Sequence, residues 1–274
     1  MLVRMHFGTR LEAFPTKARS CFDLRQQGSV GADGGRLRGM AKMGLERTQT
    51  DVRREFSTSV LLNPKTAAGS YETVIDDICH LDWAGLTRDE VVNTAWTYYY
   101  FSVQFCQNVG IARALFPADK RLEELDAGER NTDNLSPCPG VVVVGERVDH
   151  DEFMRRTLAL EPIDPARERR LRAIGETYLE KVRATGDLTR ALSLATYEDG
   201  GLERTFKAIL QAKHWDGPLL HAFKHFLEGH IRLDSDPQHG HGSLCRHMAP
   251  SKDVYDLWVA FKVSLVAGAP GLVK

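Results

Sequence analysis

A short stretch of the chain, residues 230 to 241, concentrates side chains of the kinds that bind metal ions. Positions four apart share one face of a helix, so His230 and Asp234 can point at the same ion. The alternative is a polar helix end that runs into a turn, which the proline and the glycines of this stretch would also produce. The metal site is favoured because seven of the ten histidines fall between His214 and His247. The candidate ligands here are His230, Asp234, His239 and His241, with Asp236 between them.

The helix that leads into this stretch carries two further histidines on a different face. It is predicted to begin at Gly217-Pro218, and His221 and His225 lie roughly 100 to 140° around it from His230. The pair His230 and Asp234 and the pair His221 and His225 therefore cannot face one ion. His221 and His225 are assigned to the surface or to contacts between helices. Glu198 lies in an apolar stretch further upstream, where a carboxylate needs a partner because an unpaired buried charge is costly.

The composition is that of a globular protein and argues against several classes of function. The 274 residues are 42% hydrophobic and 27% charged, with a formal net charge of -1. A chain that binds nucleic acid normally has a basic surplus, so we expect no nucleic-acid partner. The apolar runs fall short of the roughly 20 residues that span a bilayer, so no transmembrane segment is predicted. The five cysteines are scattered without a C-x-x-C pair, which predicts neither disulfides nor a zinc ribbon and makes a reducing cytoplasm the expected location.

Two regions are expected along the chain. Residues 1–50 hold a Gly-rich patch without apolar periodicity and are predicted to form a disordered or loosely attached extension. They lack the apolar core of a secretion signal, and Glu12 and Asp23 weaken an interpretation as a mitochondrial targeting segment. Residues 51–274 are predicted to form a single helical metal-binding domain, with its least regular part at residues 117–149.

Several helix starts are recognisable from their capping residues. Thr87 and Glu90 form a capping box at the start of a helix that should run to about Leu115. Asp164-Pro165 supplies an N-cap and a proline at the first helical position. Gly200-Gly201 should kink or split a later helix rather than end the domain. The sequence shows no series of strands and no internal repeat, so the predicted class is all-α.

A helical domain with an H-x-x-x-D pair near the end of one helix, a glutamate on the preceding helix and a histidine further upstream resembles the heme-oxygenase-like diiron oxidases and oxygenases. The resemblance covers roughly residues 85 to 270 and rests on the order and spacing of the ligands and on the H-I-x-L-D phrase. It implies a heme-oxygenase-like helical bundle. It also implies that His150 and Glu198 join His230 and Asp234 as metal ligands.

The chain departs from the family pattern at the third histidine of the signature helix. The family places this ligand about two turns after the first histidine, where this chain has Pro237. A proline there would break the helix and let His239 or His241 turn back to the ion. His241 is favoured because the residues after it resume an apolar helical pattern.

A second departure concerns the glutamate that the family places some seven to ten residues before the upstream histidine. That window is apolar here, so Glu146, four residues before His150, is the nominated ligand. The nearest substitutes are Glu129, Asp133 and the thiol of Cys138. The number of ions, one or two, stays open as a result.

Members of the resembled family bind two ferrous ions and use dioxygen to oxidise small amine- or carboxylate-bearing molecules, often in natural-product pathways. The resemblance therefore implies Fe(II), with two ions in a complete site, dioxygen as co-substrate and N-oxygenation as the favoured reaction. An acidic residue such as Asp236 is expected to help orient a cationic substrate near the site. The expected partner is a small molecule rather than a nucleic acid or a membrane, and a homodimer is compatible with the sequence.

Two other classes of function compete with this one. The first is a metal-free hydrolase of the same architecture, similar to the thiaminases, with Cys106 or Cys138 as the nucleophile. The second is a degenerate binding protein without catalytic activity, in which the histidines remain as an interaction surface. A heme oxygenase would need a proximal histidine on an early helix, and His80 is the one available, so this function is discounted.

Overall fold

The structure, a computed structural model, describes residues 69–130, 135–234 and 240–273, with only the backbone of residue 234. These residues form helices and connecting turns, and no strand occurs among them. An isolated antiparallel β-bridge pairs Cys138 with Val142 in the connection that precedes His150. The all-α prediction is confirmed for this part of the chain, and none of its helices is long and apolar enough to cross a membrane. The predicted extension, residues 1–50, lies outside the described residues.

The helices follow one another with short connections, and they are numbered in chain order. They are α1 (Tyr71–Cys79), α2 (Arg88–Leu115), α3 (Lys120–Glu129), α4 (His150–Ala159), α5 (Pro165–Arg183), α6 (Asp187–Thr196), α7 (Leu202–Ile209), α8 (Pro218–Asp234), α9 (His241–Cys245) and α10 (Val254–Gly268). A π-helical turn, Tyr197–Gly201, joins α6 to α7.

The long helix α2 is the centre of the bundle. It begins at the predicted capping box, in which the Thr87 hydroxyl accepts a hydrogen bond from the Glu90 backbone N–H and the Glu90 carboxylate accepts one from the Thr87 backbone N–H. It packs against α3 to α6, α8 and α10. Because neighbours surround it, its apolar residues are not confined to one face, and the side chains of Tyr98, Tyr100 and Phe101 are all buried. The tyrosine and phenylalanine cluster is therefore part of the core.

Helix α3 lies within the region, residues 117–149, that was predicted to be the least regular. It starts at Asp119, whose carboxylate accepts a hydrogen bond from the Arg121 backbone N–H. Its apolar contribution to the core is limited to Leu122 and Leu125, since the rest of its sequence is strongly polar. Two apolar residues give too weak a periodicity for a confident helix prediction. The helix matters because Glu129 is its last residue and is buried.

The π-helical turn between α6 and α7 is where the glycine pair was predicted to kink or split a helix, and this prediction is confirmed. Gly200 has φ +94°, a left-handed conformation that glycine adopts at little cost. Helix α10 packs against this turn. Its Trp258 indole N–H donates a hydrogen bond of 3.0 Å to the hydroxyl of Thr196, the residue before the turn. The Tyr197 ring packs edge-on against the Trp258 ring with centroids 5.1 Å apart. These two contacts stabilise the backbone immediately before Glu198.

Candidate metal centre

Five buried side chains from five separate elements meet beside α2. They are supplied by the last residue of α3, the first residue of α4, the π-helical turn, the body of α8 and the first residue of α9. Each is only 3–6% exposed. The five residues, called the donor cluster below, are Glu129, His150, Glu198, His230 and His241.

The distances within the donor cluster are those of directly facing polar atoms. Glu129 Oε2 lies 2.8 Å from His150 Nδ1, and Glu129 Oε1 lies 3.3 Å from His241 Nδ1. His241 Nδ1 is also 3.4 Å from Glu198 Oε2. On the other side, His230 Nε2 lies 3.3 Å from His150 Nδ1. One ligand atom each from Glu129, Glu198 and His241 can be chosen so that all lie within 4.8 Å of one another.

Glu129 is shared between two groups of donors. Its Oε1 faces His241, which in turn faces Glu198. Its Oε2 faces His150, which in turn faces His230. A carboxylate whose two oxygens face different sets of nitrogen and oxygen donors has the arrangement of a bridge between two positions. The cluster therefore offers two adjacent sets of ligands with one carboxylate in common.

The pKa values of the two carboxyl groups are shifted in opposite directions. Burial favours the neutral form of Glu129, but the facing His150 and the nearby His241 and His230 outweigh burial and lower the pKa of its carboxyl. Burial raises the pKa of Glu198, and although His241 opposes this shift, the neighbouring charge of Glu129 adds to it. Two carboxyl groups that share one buried site commonly have pKa values pushed apart in this way, because both cannot be ionised without a cation.

The surroundings of His230 keep its imidazole neutral, with the lone pair of one ring nitrogen directed toward the other cluster residues. Its Nδ1–H donates a hydrogen bond of 2.8 Å to the backbone carbonyl of Phe226, one helical turn earlier, so the lone pair is on Nε2. Burial, together with the nearby His150, lowers the pKa of His230 to about 3. The ring is therefore uncharged at neutral pH, and its Nε2, which carries no proton, faces the cluster.

The donor cluster has the chemical character of a cation site. Two buried carboxylates lie together, and within the described residues neither is paired with a lysine or an arginine. An acidic site of this kind is costly to bury unless a positive charge is bound. His150 Nε2 is also buried without a hydrogen-bond partner in the described part of the chain. These observations fit the carboxylate and imidazole ligands of a metal ion.

A small cavity borders the donor cluster on the side of α2. It reaches Glu129, His150, Glu198 and His230, and its other walls are almost entirely aromatic or aliphatic. The space is about the size of one water molecule, which would contact donor-cluster residues at one end and apolar side chains elsewhere. The other lining residues are Tyr98, Phe101, Ser102, Phe105, Leu202 and Phe226.

The structure places the nominated ligands at different distances from this centre. His150, Glu198, His230 and His241 come together as members of the donor cluster. Glu146 does not join them, because its carboxylate lies on the connection before α4 and forms an ion pair of 2.7 Å with Arg156. The buried carboxylate that faces His150 and His241 is instead Glu129, which was predicted only as a substitute. The side chain of Asp234, together with Asp133, Asp236 and His239, lies outside the described residues.

The other histidines and cysteines named as candidates are not members of the donor cluster. His221 is exposed, and His225 Nε2 lies 2.8 Å from the backbone carbonyl oxygen of Leu135, which agrees with the expected surface and interhelical positions. Cys138 is buried at the bridge with Val142. Burial raises the pKa of the Cys106 and Cys138 thiols, so both are held as neutral thiols.

Glycine is needed at the point where α9 approaches α3. A Cβ on Gly128 would lie 2.9 Å from His241 Nε2, too close for the ring to stay in place. We expect Gly128→Ala to displace His241 and to weaken metal binding at least about tenfold, the scale of losses on disturbing groups that orient metal ligands. Titration with Fe(II) under anaerobic conditions measures this. The matched control is Gly110→Ala in α2, which meets nothing within 4 Å and should raise stability by about 0.5–1 kcal/mol without changing metal affinity. Equal metal affinity of the two variants would show that the approach of α9 is unimportant.

Comparisons of this chain with protein-family models, with curated proteins and with solved structures each give no match.

Proposed function

We propose that this chain is a non-heme iron protein that holds two Fe(II) ions in the donor cluster and uses dioxygen to oxidise a small molecule. The observation that carries the proposal is the position of Glu129, whose two oxygens face two different sets of ligands. One set would consist of Glu129, His150 and His230, and the other of Glu129, Glu198 and His241. The proposed architecture is the heme-oxygenase-like bundle that the order of these ligands in the sequence resembles.

The kinds of donor support iron over a structural zinc ion. The cluster offers carboxylate oxygens and imidazole nitrogens without a thiolate, and helical bundles commonly build dinuclear iron or manganese sites from such donors. The nearest thiol on α9 is that of Cys245, and burial raises its pKa, which keeps it protonated. Bound ferrous ions would supply the electrons for the reduction of dioxygen.

The protein side chains around the cluster would perform three tasks. Glu129 would bind both ions and neutralise part of their charge. The Phe226 carbonyl would keep His230 in the tautomer whose Nε2 faces the site. The aromatic residues of α2 would exclude bulk water from the reacting atoms, which strengthens the electrostatic interactions there.

The substrate proposed from the resemblance is a small amine- or carboxylate-bearing metabolite, with N-oxygenation as the favoured reaction. Its polar group would lie at the donor cluster, since that end of the cavity holds the charged residues. Asp236, which was expected to orient a cation, lies outside the described residues and adds no support.

The competing functions receive less support. A thiaminase-like hydrolase needs an activated thiolate, whereas burial raises the pKa of both candidate thiols, Cys106 and Cys138. A degenerate binding protein has no need for two buried carboxylates without a counter-cation. This second alternative is distinguished from an oxygenase by whether the iron-loaded protein consumes dioxygen.

Iron loading followed by exposure to dioxygen tests the proposal. The protein purified without oxygen should bind two Fe(II) per chain, and oxygen uptake or a transient visible absorption should follow mixing with oxygenated buffer and a panel of small amines, amino acids and fatty acids. Glu198→Ala should remove the response while the far-ultraviolet circular dichroism stays helical. If the protein binds iron but takes up no oxygen with any compound of the panel, it is a metal-binding protein and not an oxygenase. Failure to bind iron would reject the proposed centre.

A further inference from the structure

The short helix α9 brings His241 into the donor cluster but is too short to hold that position by itself. It spans His241–Cys245, and an isolated helix of this length is unstable in water. It packs against α3 and the π-helical turn, the two elements that carry Glu129 and Glu198. The place of α9 in the bundle, and with it the place of the His241 ring, must therefore be set by contacts with its neighbours.

The position of His241 leaves little room for a shift of α9. Its Nδ1 lies 3.3 Å from Glu129 Oε1 and 3.4 Å from Glu198 Oε2. A slide of α9 by one residue, about 1.5 Å in helical geometry, would exceed the roughly 0.2 Å tolerance of a metal-ligand distance. Cys245 and Met248 are buried in the core, but apolar contacts are non-directional and do not by themselves fix the register of α9.

His247 supplies a directional contact just beyond the other end of α9. It lies in a turn that is held by a backbone hydrogen bond of 2.9 Å from the Met248 N–H to the Cys245 carbonyl. The His247 Nε2–H donates a hydrogen bond to the carboxylate of Asp119, the N-cap of α3. The side chains of His247 and Asp119 are only 25% and 19% exposed, so solvent screens this contact only in part.

The surroundings of Asp119 favour its ionised form. Burial raises the pKa of its carboxyl, but hydrogen bonds from His247 and from the Arg121 backbone N–H outweigh burial and lower the pKa. An ionised carboxylate is a stronger hydrogen-bond acceptor than a neutral carboxyl group. Helix α3 therefore has a polar contact with the α9 segment at each of its ends, because Glu129 faces His241 at one end and Asp119 faces His247 at the other.

We propose that His247 is a positioning residue of the donor cluster, because its hydrogen bond to Asp119 fixes the register of α9 along α3 and so places the His241 ring between the two carboxylates. His247 itself would contact neither metal nor substrate. The neighbouring Arg246 pairs with Asp199 at the surface, where both side chains are exposed and solvent screening makes the pair a weak anchor. The inference rests on the proposed function in taking the donor cluster to be a metal site, whereas the contact between His247 and Asp119 needs no metal.

The first arm of the test follows amide hydrogen exchange in the metal-free protein. His247→Ala removes the contact with α3, so the amides of residues 241–248 should exchange at least about threefold faster, while those at the centre of α2 stay unchanged. His247→Gln keeps a side-chain N–H that can reach Asp119 and should restore most of the protection. Arg246→Ala is the matched control and should exchange like the wild type. Unchanged exchange of residues 241–248 in His247→Ala overturns the proposal.

The second arm measures the affinity of the same variants for Fe(II) under anaerobic conditions. His247→Ala should bind Fe(II) at least about tenfold more weakly than the wild type, the scale of losses on disturbing groups that orient metal ligands, and His247→Gln should recover most of the affinity. Arg246→Ala should stay within about twofold of the wild type. Equal affinities of His247→Ala and Arg246→Ala, or a His247→Gln variant that binds no better than His247→Ala, overturn the proposal. If the wild type binds no Fe(II), the proposed function is rejected, and the exchange arm decides whether His247 sets the position of α9.

Discussion

Replacing Glu129 by glutamine should remove iron from both positions of the donor cluster. The change keeps the shape of the side chain but removes the charge that faces His150 on one side and His241 on the other. Loss of groups that merely orient metal ligands costs 10- to 100-fold in affinity, so loss of a shared ligand should cost at least about 100-fold. Metal analysis after anaerobic loading should therefore fall from two ions per chain to less than one.

The matched control for this experiment is Glu146→Gln. Glu146 is the carboxylate that local spacing nominated, but it pairs with Arg156 on a partly exposed connection. An exposed ion pair contributes little to stability because solvent screens it, so this variant should load iron like the wild type. Iron loss in Glu146→Gln with normal loading of Glu129→Gln would reverse the assignment of the carboxylate ligand.

Trp258→Ala should produce the largest loss of stability among single substitutions in the core. The indole is fully buried, contacts Tyr197 and Phe261, and hydrogen-bonds Thr196. Replacing a buried tryptophan by alanine typically costs about 3–5 kcal/mol. For a chain of this size that corresponds to a fall in melting temperature of roughly 6–20 °C, measurable by calorimetry or circular dichroism.

Two further variants separate packing from the support of Glu198. Trp215→Ala removes a tryptophan that is only partly buried, so its cost in stability should be smaller. Trp258→Phe retains most of the packing but loses the hydrogen bond to Thr196, the residue before the π-helical turn. It should reduce iron loading more than Trp215→Ala does. If all three variants lose stability equally, Trp258 has no special role behind the turn.

The parts of the fold that the sequence predicted well are those controlled by neighbouring residues. The capping box at Thr87 and the start at Asp164-Pro165 depend on contacts within three residues, and both appear in the structure. The break at Gly200 follows from the conformation that glycine alone adopts easily. Local chemistry determines such features, so they can be predicted from one sequence.

Glu129 shows why the site was predicted only in part. Its helix, α3, buries two leucines and is otherwise polar, so it gives little periodic signal. Spacing along the sequence instead favoured Glu146, because it lies four residues before His150. In the structure, Glu146 forms an ion pair with Arg156. A usable signal was the Asp119 cap followed by Leu122, Leu125 and Glu129 on one face. The pairing of that face with α9 depends on tertiary packing, which spacing along the chain does not reveal.

The donor cluster draws its residues largely from the ends of helices. Glu129 closes α3, while His150 and His241 each begin a helix, and Glu198 lies in the turn that interrupts two others. Helix ends open more easily than helix centres, because part of their backbone lacks hydrogen bonds within the helix. An ion bound here would link segments that lie as far apart in the sequence as residues 129 and 241. Because the site forms only when these helix ends are folded, binding of the ion would stabilise the folded state. Loss of the ion would then let these helix ends open more often, so the metal-free protein should be cleaved by proteases faster than the metal-bound protein.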